Sequence, residues 1–262
     1  MLMEVKNQFK VLFLSVRYAL QREMLNKATF LSNIIFMMLN NASFIIQWLI
    51  IYSIKTDVGG YTFKMILLLW GIAALTYGIS RFFFIEAFEL SDAINLGKLD
   101  NYLVQPKNVL LSFITGKVEV SAIGDIIYGI IMIALFDITK LPIFIFTGIL
   151  GGFVIVSISI IFSSLAFWFG KVETFSNTIN SIMTNFATYP EGIFKGLIKI
   201  LFYTILPLGF STYLPVNLIC NFNIYQLLLL IGATILFVSL AFIIFYKGLR
   251  RYSSTNLMNA RI

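Results

Sequence analysis

The sequence contains no histidine and a single cysteine, Cys220. Histidine-based acid–base chemistry, histidine metal ligation, a Ser-His-Asp triad, an intrachain disulfide and a thiolate cluster are therefore all excluded. Charge is scarce as well. Only 12% of the residues are charged, about half the share of a soluble domain. No GxxxxGK[ST] phosphate loop occurs: Gly116-Lys117 has neither the upstream glycine nor the following hydroxyl. No dinucleotide fingerprint and no cleavable signal peptide is apparent in residues 1–27. Catalysis within the chain is not expected.

What remains is apolar. Hydrophobic residues make up 59% of the chain, with 27 phenylalanines. A chain of 262 residues has too little interior to hide that much, whereas lipid accommodates it. Phe30–Ile54 is the clearest case, 25 residues without a charge. At about 1.5 Å per residue it is long enough to cross a hydrocarbon core of about 30 Å. The expected architecture is an all-α integral membrane protein with six transmembrane helices within 30–246. An N-terminal amphipathic interfacial helix (1–29) precedes them, and a broken or re-entrant region lies between helices 5 and 6.

In residues 1–29, Phe9, Leu12, Phe13, Val16 and Leu20 fall at helical spacing, with Lys6, Lys10, Arg17 and Gln21 on other faces. That pattern fits a helix at the membrane surface, its basic side toward headgroups, or one packed on a partner. The second span is expected over Met65–Ile85, with Arg81 snorkelling to the headgroups. The third is read as Val118–Phe136, with Asp125 deep in it. Span four runs from Pro142 to about Phe169, with Gly148 and Gly152 as a small-xxx-small pair. The fifth starts near Leu197 and is interrupted by Pro207 and Pro215, and the sixth is Tyr225–Tyr246.

The polar stretches are 86–108, 170–196 and the basic tail 247–262. In the first, a short helix before Gly97 reads as a docking element or a solvated loop. In the second, Phe175, Ile179, Ile182 and Phe186 recur at helical spacing before a stop at Pro190. With the N-terminus inside, all but Lys55, Lys64 and Lys140 of the 19 basic residues fall on the cytoplasmic side, as the positive-inside rule requires. The expected location is the cell membrane, with both termini and the 86–108 and 170–196 loops cytoplasmic. The basic charge is interspersed between apolar segments, so no nucleic-acid partner is expected.

Asn33, Asn40 and Gln47, spaced by seven, share one face of the first span. With Asp125 and Ser159 they are candidates for a pathway or for interhelical contacts.

Four stretches carry a resemblance. LGKLDNYLVQP at Leu96–Pro106, FATYPEGIF at Phe186–Phe194, ILPLGFSTYLP at Ile205–Pro215 and GLRRYSS at Gly248–Ser254 together resemble the type-2 membrane subunits of ATP-binding-cassette exporters, the ABC-2 permease family. The resemblance covers nearly the whole chain. It implies a permease subunit, half of an export pathway, paired with a second permease as homodimer or heterodimer. Separate cytoplasmic ATPase subunits would hold ATP and Mg and drive alternating access; the chain itself would carry no cofactor. It further implies that Glu89, Asp92, Gly97, Leu99 and Asp100 form the coupling region against the ATPase. Tyr189 and Pro190 would shape the cytoplasmic approach to span five, and Pro207 and Pro215 would bend the outer gate. A non-transporting scaffold or assembly protein and a channel are the competing readings.

Overall fold

A computed structural model describes residues 2–253, with side chains from residue 13 onward. The faces assigned to Lys6, Phe9, Lys10 and Leu12, and the tail beyond Ser253 with Arg261, lie outside the described side chains. Among the described residues the protein is all-α. The longer helices are α1 (Leu2–Glu23), α2 (Lys27–Ile54) and α3 (Phe63–Phe84). Short helices α4 (Leu90–Asn95), α5 (Asp100–Leu103) and α6 (Val109–Ile114) follow. Then come α7 (Ile123–Asp137), α8 (Leu141–Ser164), α9 (Ala166–Phe169) and α10 (Glu173–Phe186). The chain closes with α11 (Leu197–Thr204), a π-helical turn Gly209–Tyr213, α12 (Leu214–Cys220) and α13 (Ile224–Leu249).

Local signals explain several boundaries. Asn26 caps α2 by accepting the Thr29 N–H at 3.2 Å, and Asn108 caps α6 through Leu111 N–H at 3.0 Å. Between α2 and α3, Gly59 (φ +61°) and Gly60 (φ +81°) make a tight turn, closed by reciprocal backbone bonds between Val58 and Tyr61. Two consecutive positive-φ residues are what such a turn needs, and glycine supplies them without steric cost.

The hub of the bundle is α3. Of the most apolar stretch of α3 and its continuation, 78% is buried, against 6% for α2. Small residues set the close approaches. A Cβ on Gly78 would stand 2.8 Å from Ile126 Cγ1, and one on Gly71 2.8 Å from Met132 Cβ, so α7 lies nearly on the backbone of α3. These contacts run antiparallel, 71 with 132 and 78 with 126. Along α8 the order is the same as along α3: Gly148 meets Ile72 and Leu75, while Ser80 donates to the Gly152 carbonyl at 3.2 Å. The chain therefore reverses between Asp137 and Lys140. Helix α13 runs parallel to α8, with Leu230 clustered near Leu150, Phe237 beside Val154 and Ile158, and Gly248 against Phe167.

Four continuous helical stretches are long and apolar enough to cross a membrane: Lys27–Ile54, Phe63–Asn95, Val120–Phe169 and Ile224–Leu249. A fifth is added if Leu197–Thr204 and Gly209–Cys220, bent by 77°, form one span. The apolar bundle is that of a multi-pass membrane protein, with four or five such stretches in place of the six expected. The fifth expected span is two short pieces because Pro207 cannot continue α11. After it, Phe210 and Ser211 N–H both bond the Pro207 carbonyl and start a new turn. The third begins at Ile123, after a 3-10 turn at Val120–Ala122.

The largest departure concerns 170–196. It is not one loop at one end. Helix α10 packs antiparallel on α8: Ser176 hydroxyl meets Ser163 at 2.8 Å and Asn180 Oδ1 accepts from Ser159 at 2.7 Å. Its far end reaches the Gly59 turn, where Gly192 abuts the Gly59 backbone. Glu173 and Gly192 thus sit at opposite ends of the bundle. The basic residues sort accordingly. Arg17, Arg22, Lys27, Arg81, Lys98, Lys107, Lys117, Lys171, Lys247, Arg250 and Arg251 belong to what we term the basic end. Lys195 and Lys199 join Lys55, Lys64 and Lys140 at the opposite, turn end. Arg81 does not reach outward alone, because its Nε pairs with Glu119 Oε2 at 2.9 Å.

Candidate functional site

At the basic end, residues 85–108 fold into a compact knob on the ends of α3, α8 and α13. Helix α4 ends at Gly97 (φ +71°). Lys98 N–H bonds the Ala93 carbonyl at 2.9 Å, and Gly97 N–H bonds Ile94 at 3.3 Å. This is the glycine stop in which two orphan carbonyls are satisfied across a left-handed residue. Leu99 is fully buried with Leu90, Ile94, Leu110 and Phe113, so it braces the knob from inside. Glu89 is held by Lys117 Nζ at 3.1 Å, and Asp92 lies beside Glu173 on α10. Asp100 lies close to the Tyr252 hydroxyl without hydrogen-bond geometry; burial, and then that carboxylate, raise the Tyr252 pKa above its ordinary value.

Of the acidic residues chosen from the sequence, Glu89 ties the knob to the segment before α7, while Asp92 and Asp100 abut α10 and the chain after α13. The outward tip consists of Leu96, Leu103 and Val104, which are 60%, 43% and 84% exposed. Nothing in the hydropathy of LGKLDNYLVQP separates Leu99 from Leu96. Only the α4 stop and the α5 turn decide which leucine points inward.

Along the bundle, the polar residues divide into two sets. Asp125 is buried at 7% exposure and accepts Asn41 Nδ2–H on Oδ1 at 2.5 Å. The two helices meet closely there, since a Cβ on Gly124 would lie 2.8 Å from the Ile34 carbonyl oxygen. Ser159 is likewise buried and donates to Asn180. Asn33, Asn40 and Gln47 are instead exposed on α2. Asn41, not Asn40, makes the interhelical contact, a residue the seven-residue spacing passes over.

Helix α10 carries the second set. Thr174, Asn177, Thr178, Ser181 and Asn185 are exposed and recur every three or four residues, forming one stripe. The Thr178 and Ser181 hydroxyls turn back to the Thr174 and Asn177 carbonyls. The opposite face, with Ser176 and Met183, is buried against the bundle.

At the turn end, Pro190 is buried and Tyr189 stands edge-on to Trp48 at 6.0 Å. Glu191 Oε1 accepts the Tyr203 hydroxyl at 2.9 Å and Lys199 Nζ at 2.9 Å. Tyr213 donates its hydroxyl to the Phe186 carbonyl at 2.9 Å. Pro207 and Pro215 are buried in the bent segment, Pro215 in the first turn of α12, where proline costs no helix bond. Tyr189 and Pro190 thus lie at the same end as the two prolines and away from Glu173. Helix α10 separates them from Lys171 and Glu173 by the length of the bundle.

Among the described residues, no group of three or more Cys, Asp or Glu is placed to hold a metal ion. In comparisons with known proteins, a family model described as ABC-2 family transporter protein matches residues 30–256. No curated protein and no solved structure matches the chain.

Proposed function

From the premise that the chain belongs to the ABC-2 transporter family, within which it is a permease subunit and not an enzyme, we propose that it forms half of an export pathway driven by a separate ATPase. The observation that carries the reading is the stripe Thr174–Asn185 on α10. It is polar, exposed and set on a helix that joins the two ends of the bundle. Hydrocarbon does not accommodate such a face. A second permease subunit and a wet pathway between the two do. Asn33, Asn40 and Gln47 on α2 are assigned to the same boundary, and the buried Asp125 and Ser159 to interhelical contacts.

In this reading the crossings are α2, α3, α7, α8, α10 and α13. The reversal at Asp137–Lys140 supports counting α7 and α8 separately, and the antiparallel packing of α10 supports counting it as the fifth. Helices α11 and α12 then form a re-entrant cap at the turn end, bent at Pro207 and Pro215 and abutting Tyr189 and Pro190. The basic end is cytoplasmic by the positive-inside rule, with the added Lys195 and Lys199 leaving the bias intact. Both termini lie on that side of the cell membrane.

The knob of residues 86–108 is the ATPase coupling element. Leu96, Leu103 and Val104 supply its apolar contact. Glu89, Asp92 and Asp100 transmit its movement to Lys117, to α10 and to the chain after α13, while Gly97 and Leu99 maintain its shape. The ATPase partner binds ATP and Mg, and closure of two ATPases moves α10 and α2 to alternate access.

Affinity capture of the tagged chain from its native membrane, with mass spectrometry and an ATPase assay on the eluate, tests this. Recovery of an ATPase subunit, with or without a second permease, is the expected result. Recovery of the chain alone after solubilisation in several mild detergents would shift the reading to a scaffold or a channel.

A further inference from the structure

Beside α1 lies a cavity of about 390 Å³ bordered by Ser15, Tyr18 and Arg22 on one wall and by Gly116, Lys117 and Val118 on the other. Its volume falls within the range of small-molecule sites, about 300–1,000 Å³. Ser15, Tyr18 and Arg22 are spaced i, i+3 and i+7, so they stand on one face of α1. Two cations converge from different elements, and no carboxylate is among the lining residues. Lys117 already holds Glu89 at 3.1 Å, and Arg22 touches Glu23 only at 3.7 Å. An ammonium has three donors and a guanidinium five, so both retain capacity for a further oxygen ligand.

The depth of the cavity indicates what that ligand is. Val16, Ala19 and Leu20 of α1, together with Phe30 of α2, pack on Phe82, Val118 and Val120. These residues mark the ends of the apolar runs of α2 and α3, so α1 lies at the level where hydrocarbon gives way to headgroups. Leu14, Ala19 and Val118 give the cavity an apolar border. Phe13 and Leu25 on α1 and the turn after it stay 68% and 87% exposed. A soluble anion uses none of this apolar surface, whereas a lipid uses both parts.

We propose that this cavity binds the phosphate of an anionic phospholipid, with Arg22 and Lys117 gripping it from two sides and the apolar border receiving the start of its chains. The inference rests on the multi-pass membrane placement alone and is independent of the ATPase partnership, so either can fail without the other.

The test uses the full chain reconstituted in vesicles of equal phosphatidylglycerol and phosphatidylcholine, extracted into mild detergent and weighed intact by native mass spectrometry. The wild-type chain should retain one phosphatidylglycerol in preference to phosphatidylcholine. The double variant R22Q/K117Q should reduce that retention about thirtyfold, as expected for two interfacial basic contacts. Ser15→Trp, which fills the cavity and keeps both charges, should reduce it too. R17Q/K27Q, which removes two basic residues outside the cavity, should not. Equal loss in R17Q/K27Q, or full retention in Ser15→Trp, would overturn the site in favour of diffuse surface charge. Displacement of the lipid by millimolar inorganic phosphate or glycerol phosphate would overturn the lipid assignment in favour of a free anion. Monodisperse elution of each variant shows that a loss is not unfolding.

Discussion

Gly192 and Gly59 touch backbone to backbone: a Cβ on Gly192 would collide with the Gly59 carbonyl oxygen, and one on Gly59 would lie 3.0 Å from Ile193 N. Residues 133 positions apart in sequence thereby tie the end of α10 to the turn between α2 and α3. Gly192→Ala should lower stability by about 3 kcal/mol, at the upper end of overpacking, because neither backbone can yield. Gly60→Ala meets open space and bears only the strain of φ +81°, about 1–2 kcal/mol. Heating in detergent followed by size-exclusion chromatography ranks the two. A Gly192→Ala midpoint equal to or above that of Gly60→Ala would refute the contact.

The Asn41–Asp125 bond predicts an asymmetry. Asn41→Leu removes the donor to a buried carboxylate and should cost about 1–2 kcal/mol. Asn40→Leu, on an exposed position of α2, should leave the isolated subunit's stability within about 0.5 kcal/mol. The same heating assay on the two variants checks this, and equal midpoints would place Asn40 in the contact.

Two leucines in one motif should fail differently. Leu99→Ala empties a buried site and should destabilise the chain by about 2–5 kcal/mol. Leu96→Asp combined with Val104→Asp should leave folding intact and lower ATPase capture at least tenfold. Asp92→Lys and Asp100→Lys should also weaken capture, by reversing the charge of the knob. Quantitative pull-down with a co-expressed ATPase, beside melting midpoints, separates the two effects. Capture unchanged in all the surface and acidic variants would remove the coupling role from this knob.

Helix α10 should place its flanks on opposite sides of the membrane. In a Cys220→Ser background, Lys195→Cys should react with a membrane-impermeant maleimide on intact cells. Lys171→Cys should react only after permeabilisation. Labelling of both under the same condition would return 170–196 to a single loop.

The polar relations in the bundle were unevenly legible. Gly97 ends α4 as its position in the sequence requires, since a left-handed stop depends on neighbours within one turn. Glu89, Asp92 and Asp100 were grouped only by the family resemblance, and what each of them faces depends on Lys117, Glu173 and Tyr252, all distant in sequence. Asp125 announced itself as a charge within an apolar run, but its partner did not. Asn40 and Asn41 are adjacent and chemically identical, and about 100° of helix rotation decides which meets α7.

By itself the sequence determined the solvent and the helix content. Long uncharged runs over 30–54 and 225–246 leave little but membrane-spanning helix. Tertiary structure decided that α3 and not α2 is the hub, and that Arg81 pairs with Glu119. It also decided that α10 joins the two ends of the bundle. Hydropathy registers how much of a helix faces lipid. Helix α10 has one face packed on Ser159 and Ser163 and a polar stripe on the other, so its path is set by its partners in the bundle and is absent from its own composition.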